Sequence, residues 1–212
     1  MRIDNQNPSF TNVKYDPKKT RGTNAIKLYK STGQQLLTWQ QRQIKAIEAT
    51  NKDGLWKHMT YCICVSRRNG KGEVLAAREL DGLINLGEKI CHTAHRTTTS
   101  HDAFNRLYTL LKKAGYEEHS KKKKKMPDKS FYASKQYGLE HIEVTGGGVI
   151  DFRTRTIMVD LVRALTCWSL MRLRSTQQNR SQLSSIQSLH PKTHRQSWWG
   201  LRQQSSVVVM CL

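Results

Sequence analysis

A short apolar run, a polar turn carrying glycine, and a helix-forming segment follow one another between residues 58 and 86, and this order limits the fold more than any other feature. His58 to Val65 (HMTYCICV) is β-rich and apolar, so it reads as a buried strand. Ser66 to Gly72 is a polar turn. Glu73 to Leu86 has strong helix formers with apolar residues at 74, 75, 80, 83, 84 and 86, and Gly87 is a natural stop. Lys89 to Ala94 (KICHTA) reads as a second strand and Ser100 to Ala114 as a second helix. Strand, helix, strand, helix in this order predicts an α/β fold: a parallel sheet with flanking helices.

On either side the signals are weaker. Residues 1–30 are polar with turn formers at Pro8, Pro17 and Gly22, and read as an extended arm. Gln34 to Ala49 has apolar residues at 36, 37, 39, 44 and 47, suiting an amphipathic helix or a turn leading into one, which Asp53-Gly54 ends. His141 to Thr145 and Val149 to Thr154 flank Gly146-Gly147-Gly148, a hairpin signal.

The formal charge is +20, from 36 Lys+Arg against 16 Asp+Glu, which predicts a polyanionic partner such as nucleic acid. Lys121 to Lys125 form an unbroken basic run flanked by Lys113 and Lys129. It reads equally as a phosphate-backbone contact and as a solvated loop, because no interleaved aromatic offers bases a stacking surface. Cysteines at 62, 64, 91, 167 and 211 form no CxxC pair, which predicts free, mostly buried thiols in a reducing compartment. His92, His95 and His101 lack a matching carboxylate or cysteine spacing, so no metal site is predicted from them. No stretch is long and apolar enough to cross a bilayer, and MRIDNQNPSF has no apolar signal core. The prediction is a cytoplasmic protein without a membrane partner.

The turn after the first strand, Ser66-Arg67-Arg68-Asn69-Gly70-Lys71-Gly72-Glu73, sits where an α/β fold binds phosphates. Backbone N–H groups converge there, the helix N-terminus is electropositive, and a lysine can reach the β- and γ-phosphates. Gly70 would let the backbone come close to a ligand. The general phosphate-loop pattern asks for glycine where Val65 stands and for Ser or Thr, a Mg²⁺ ligand, where Gly72 stands.

SRRNGKGEVLAARELDGL resembles the phosphate loop and following helix of the large terminase subunits of tailed phages, the ATP-driven motors of viral DNA packaging. HTAHRTTTSHDAF (His92 to Phe104) resembles that family's next strand and helix. LLTWQQRQI (Leu36 to Ile44) resembles its adenine-contacting Trp-Gln element, and HIEVTGGGVIDFRTRT (His141 to Thr156) the stretch before its second ATPase motif. The matches run in family order through residues 31–156, which the resemblance makes a partial ATPase domain of P-loop NTPase type. By this resemblance Ser66 to Gly72 wrap the phosphates of ATP and Lys71 neutralises them. Arg67 or Arg68 helps sense the γ-phosphate, and Trp39-Gln40 hold the base. Trp39 reads as well as a core aromatic. The resemblance further implies Mg²⁺, whose ligands are not identifiable here, and as partners double-stranded DNA, a small terminase subunit and a portal, in host cytoplasm or transiently at the prohead.

From Ile157 to Leu212 the family pattern disappears. Asp160 is the only acid among these residues, and the Asp-Glu pair that holds Mg²⁺ and activates water in terminases is missing. Codon arithmetic supplies a reason. If each residue is read from the last nucleotide of one codon and the first two of the next, Cys167-Trp168 must give Leu, Leu170-Met171 permits Asp, and Met171-Arg172 permits only Glu or Ala. Thr166 to Thr176 then admits LLVIDEAQEY, and Pro191 to Gln203 admits QNPQTIVVGTPP, both resembling family motifs in order. A one-nucleotide shift near Thr156–Ile157 is the expectation, a genuine divergent segment the alternative; in the shifted case residues 157–212 form an irregular, out-of-frame tail with no domain of its own. That tail holds seven basic residues and one acid, so +6 of the +20 comes from it. The predicted function is that of a terminase fragment without the acidic motif or the nuclease domain, and with no catalytic residue of its own. The rival readings are a basic nucleic-acid-binding protein without nucleotide chemistry and another P-loop ATPase such as a helicase.

Overall fold

The computed structural model describes residues 6–8, 11–66, 68–119 and 127–154, and the backbone alone of 167–171 and 205–211. Helices α1 (Gly22–Ser31) and α2 (Thr38–Ile47) precede β1 (Thr60–Ser66), α3 (Lys71–Ile84), β2 (Lys89–Ala94) and α4 (Thr97–Lys113). Six further strands follow: β3 (Glu117–His119), β4 (Ser130–Ser134), β5 (His141–Val144), β6 (Val149–Thr154), β7 (Cys167–Met171) and β8 (Ser205–Cys211). They form one sheet in the order β1-β8-β7-β2-β6-β5-β4-β3.

The fold is α/β, but the sheet is mixed where a parallel one is expected. β2 pairs in parallel with β6 and β7, and β3 with β4. β8 runs antiparallel to β1 and β7, and β5 antiparallel to β4 and β6. The reason is plain at β5–β6: the turn Thr145–Gly148 is far too short for the crossover that parallel neighbours need. Gly146 and Gly147 make that turn with φ of 102° and 93°. The strand–helix–strand signal nevertheless gives the right direction. Two reversals separate β1 from β7, and β7 is parallel to β2, so β1 and β2 point the same way. Their carboxyl ends therefore lie along one edge of the sheet, with those of β6 and β7.

α3 and α4 pack against each other and against β2, and α4 reaches β6. The core between them is Val74, Leu75, Leu80 and Leu83 of α3, Phe104, Leu107 and Leu111 of α4, and Ile90, Ile150 and Phe152 of the strands. Phe104 meets the Phe152 ring edge-on at 5.6 Å. β1 buries only Tyr61 and Ile63; its other face, with Cys62 and Cys64, is exposed. The reading of a buried strand is thus corrected, as is that of a buried thiol at Cys62 and Cys64, whereas Cys91 is free and buried as expected. The cause is that the helices cover one side of β1, where the Tyr61 hydroxyl donates to Gln43 Oε1 of α2 at 2.7 Å.

Two domain boundaries also change. Residues 1–30 are not an extended arm throughout, since α1 begins at Gly22 and belongs to the packed domain. Ala25 and Tyr29, one helical turn apart, are buried, and Thr20 Oγ1 accepts from the Gly22 amide at 3.1 Å while donating to Lys45 O at 2.7 Å. Two segments of the tail expected to be irregular, β7 and β8, are strands of the sheet. The remainder of the tail, and the Lys121–Lys125 run, lie outside the described residues.

Candidate nucleotide site

The turn between β1 and α3 opens at the carboxyl end of β1, the edge at which α/β sheets accept ligands. Arg68 and Gly70 are left-handed, with φ of 64° and 73°. Gly70 is the N-cap of α3 in that conformation, and Lys71 is the first helical residue. No side chain caps α3, so the electropositive helix start is not already met by a protein oxygen from its N-cap residue. Lys71 Nζ lies 3.3 Å from Ser66 O, folded back across the turn. Ser66, Arg68 and Asn69 are exposed, while Gly70, Lys71, Gly72 and Glu73 are half-buried. Arg67 lies outside the described residues.

The upstream Trp-Gln element reaches the same turn. Gln40, buried in α2, donates from Nε2 to Gly70 O at 2.9 Å, and its Oε1 accepts from the Leu37 amide at 2.7 Å. Trp39 is half-buried and packs against the core. The fold thus brings together four of the residues singled out from the sequence, Gln40, Ser66, Gly70 and Lys71, from α2, β1 and the start of α3.

Glu73, named with the turn from the sequence, has two partners that the sequence does not suggest. One of its carboxylate oxygens accepts from the Tyr29 hydroxyl of α1, and the other pairs with Arg106 of α4. Burial raises the pKa of the Tyr29 phenol, with Arg106 opposing, so the hydroxyl keeps its proton and remains a donor. Helices α1, α3 and α4 are tied together at the first turn of α3. Neither partner of Glu73 carries a sequence signal: Tyr29 falls in the expected arm and Arg106 in an otherwise ordinary helix. A cleft of about 370 Å³ opens beside them, lined by Tyr29, Gln34, Asp102, Asn105, Arg106 and Lys113 among others. A smaller one, about 180 Å³, lies between α3 and α4 and includes Gly72, His92, Glu79 and Arg106. In its wall His92 Nδ1 meets Glu79 Oε1 at 2.7 Å, both side chains buried.

The described residues do not fit a Mg²⁺ ion at the turn. Gly72 has no hydroxyl, and both oxygens of Glu73 are engaged by Tyr29 and Arg106. Among the described residues no three His, Cys, Asp or Glu side chains are grouped to hold a metal. Among the same residues no helix is long and apolar enough to cross a membrane.

Fold and site together define an α/β protein with a mixed sheet, flanking helices and a glycine–lysine turn at the carboxyl edge. Comparison with protein-family models, curated proteins and solved structures finds no match to this chain.

Proposed function

We propose that the domain running from α1 to β6 is the triphosphate-binding part of a terminase-like packaging ATPase, severed from its acidic motif. One observation carries the reading: the turn between β1 and α3 ends in left-handed Gly70, and Lys71 heads α3 at the carboxyl edge of the sheet. Backbone amides and the helix start would face the phosphates of ATP, and Lys71 would exchange its contact with Ser66 O for phosphate oxygens. The surplus of basic residues supports double-stranded DNA as the polyanion acted upon; a small subunit and portal follow from the resemblance alone.

The shifted reading places its Asp at the Leu170–Met171 junction and its Glu at Met171–Arg172, and Met171 ends β7. β7 is parallel to β2, with Ala94 beside Met171. In this chain the residues at those places are Leu170 and Met171, neither of which supplies a carboxylate. The chain binds nucleotide without turning it over.

The test is ATP affinity of the purified chain and of its Lys71→Ala variant, with turnover measured alongside. The expected result is a loss of about tenfold or more in affinity, equivalent to about 1.4 kcal/mol, with no turnover in either protein. Affinity for DNA but none for ATP would favour the basic nucleic-acid-binding reading, and turnover that depends on Lys71 would sink the claim of inactivity. Sequencing the coding DNA tests the shift: codons unable to spell LLVIDEAQEY end it.

A further inference from the structure

Gln40 sits where the resemblance puts a base-reading residue, yet its amide is consumed inside the protein. Its two partners are of opposite kinds. The Leu37 amide can only donate, so Oε1 must face it at 2.7 Å; Gly70 O can only accept, so Nε2 must face it at 2.9 Å. Flipping the side-chain amide to present a different edge would break both bonds at a site that is 2% exposed. Gly70 O also accepts from the Glu73 amide at 3.1 Å, so Gln40 and the first turn of α3 hold the same carbonyl. The fit is close: a Cβ on Gly70 would lie 2.7 Å from Gln40 Nε2. The beginning of α2 and the left-handed residue heading α3 are thereby fixed to one another.

We propose that Gln40 is a positioning residue for the phosphate turn and not a reader of the base, so that the site takes nucleoside triphosphates and inorganic triphosphate alike as far as Gln40 is concerned. This rests on the triphosphate reading above and deepens it. Gln40 holds Gly70 left-handed, and Gly70 sets where the amides of the turn and the Lys71 side chain begin. Trp39 offers only the part of its ring left free of the core, and stacking on such a surface accepts every base.

The test compares the parent chain with Gln40→Met, which keeps length but makes neither bond, and with Gln40→Glu, which keeps an acceptor for Leu37 and loses the donor to Gly70. ATP, GTP and inorganic triphosphate are the three probes. The expected result is the same loss for all three, about fivefold for one hydrogen bond of ordinary strength. A loss confined to ATP would make Gln40 a base reader and overturn the proposal. Limited trypsin digestion without nucleotide gives an independent readout. Cleavage after Arg68 and Lys71 should quicken severalfold in Gln40→Met while cleavage after Lys112 and Lys113 at the end of α4 does not. Equal rates at the turn in parent and variant would also overturn it. If the parent binds none of the three probes, the triphosphate reading fails, and the digestion still decides whether Gln40 holds the turn.

Discussion

Arg78 Nη2 donates to Glu88 Oε1 at 2.8 Å in the interior, the arginine being 1% exposed. Its Nε lies 3.6 Å from Glu48 Oε1, and the guanidinium sits 5.3 Å from the centre of the Trp56 ring. With Asp81 on the next turn of α3, three acids surround one cation, and Arg21 adds a second, weaker positive charge near Glu48. So crowded a set does not ionise fully. Burial first, then the neighbouring acids, push Glu48 up to about 8.

That shift has a defined sign. A carboxyl whose folded pKa is raised binds its proton more tightly in the native state, so folding weakens as pH climbs from the usual carboxylate range toward 8. Glu48→Gln should remove this slope and raise the melting temperature above pH 8 while changing little at pH 5. Thermal melts of parent and variant across that interval check it; parallel curves would refute the assignment.

Removing the cation is the opposite experiment. Arg78→Leu leaves Glu48, Asp81 and Glu88 buried with no central partner, and should cost about 3–5 kcal/mol. Urea denaturation measures it, and a cost near zero would mean that water reaches the cluster.

His141 works on the other side of the sheet. Asp151 at 2.8 Å, and to a lesser degree Glu143 at 3.0 Å, raise its pKa against the opposing effect of burial. A histidine with a raised folded pKa contributes stability that is full below its unfolded value and is lost as pH rises through the folded one. His141→Gln should therefore lose more stability at pH 6 than at pH 8, the reverse of the Glu48→Gln pattern. An equal loss at both values would show that the ring does not titrate against Asp151.

Gly148 is required by close approach. A Cβ there would fall 2.1 Å from Leu83 O, a backbone atom of α3 that cannot step aside. Gly148→Ala should destabilise by about 1–3 kcal/mol, the usual range for overpacking, read as a lower urea midpoint at unchanged slope. An unchanged midpoint would mean that the hairpin moves away from α3 freely.

The tie at Glu73 can be measured by a double-mutant cycle. Tyr29→Phe and Arg106→Gln each remove one partner of the same carboxylate, so their costs should not add, with coupling of about 0.5–3 kcal/mol. Additive costs would place the two contacts in separate structures.

Local pattern made part of this architecture readable. β2 falls on Lys89–Ala94 and β6 on Val149–Thr154, because short apolar runs bounded by turn formers leave few alternatives. α1 was hidden because Ala25 and Tyr29 are its only buried apolar positions, in a segment whose lysines and nearby prolines look like an arm. β3 has no apolar residue, and the short run Phe131-Tyr132-Ala133 of β4 follows the lysine-rich run closely in the chain, so neither stands out, although Phe131 is buried. Arg78 looks like an ordinary surface residue of a helix until Glu48 and Glu88 are found beside it.

The order of residues by itself determined a strand, a glycine–lysine turn and a helix in succession, because backbone conformation and side-chain period act over a few neighbours. It also determined the hairpin at Gly146–Gly148 and the excess of positive charge. Only the tertiary structure decided that Gln40 closes on Gly70, that Glu73 is shared by Tyr29 and Arg106, and that the sheet is mixed. Those outcomes depend on which distant segments exclude water together, and packing of that kind leaves no trace in the spacing of residues along the chain.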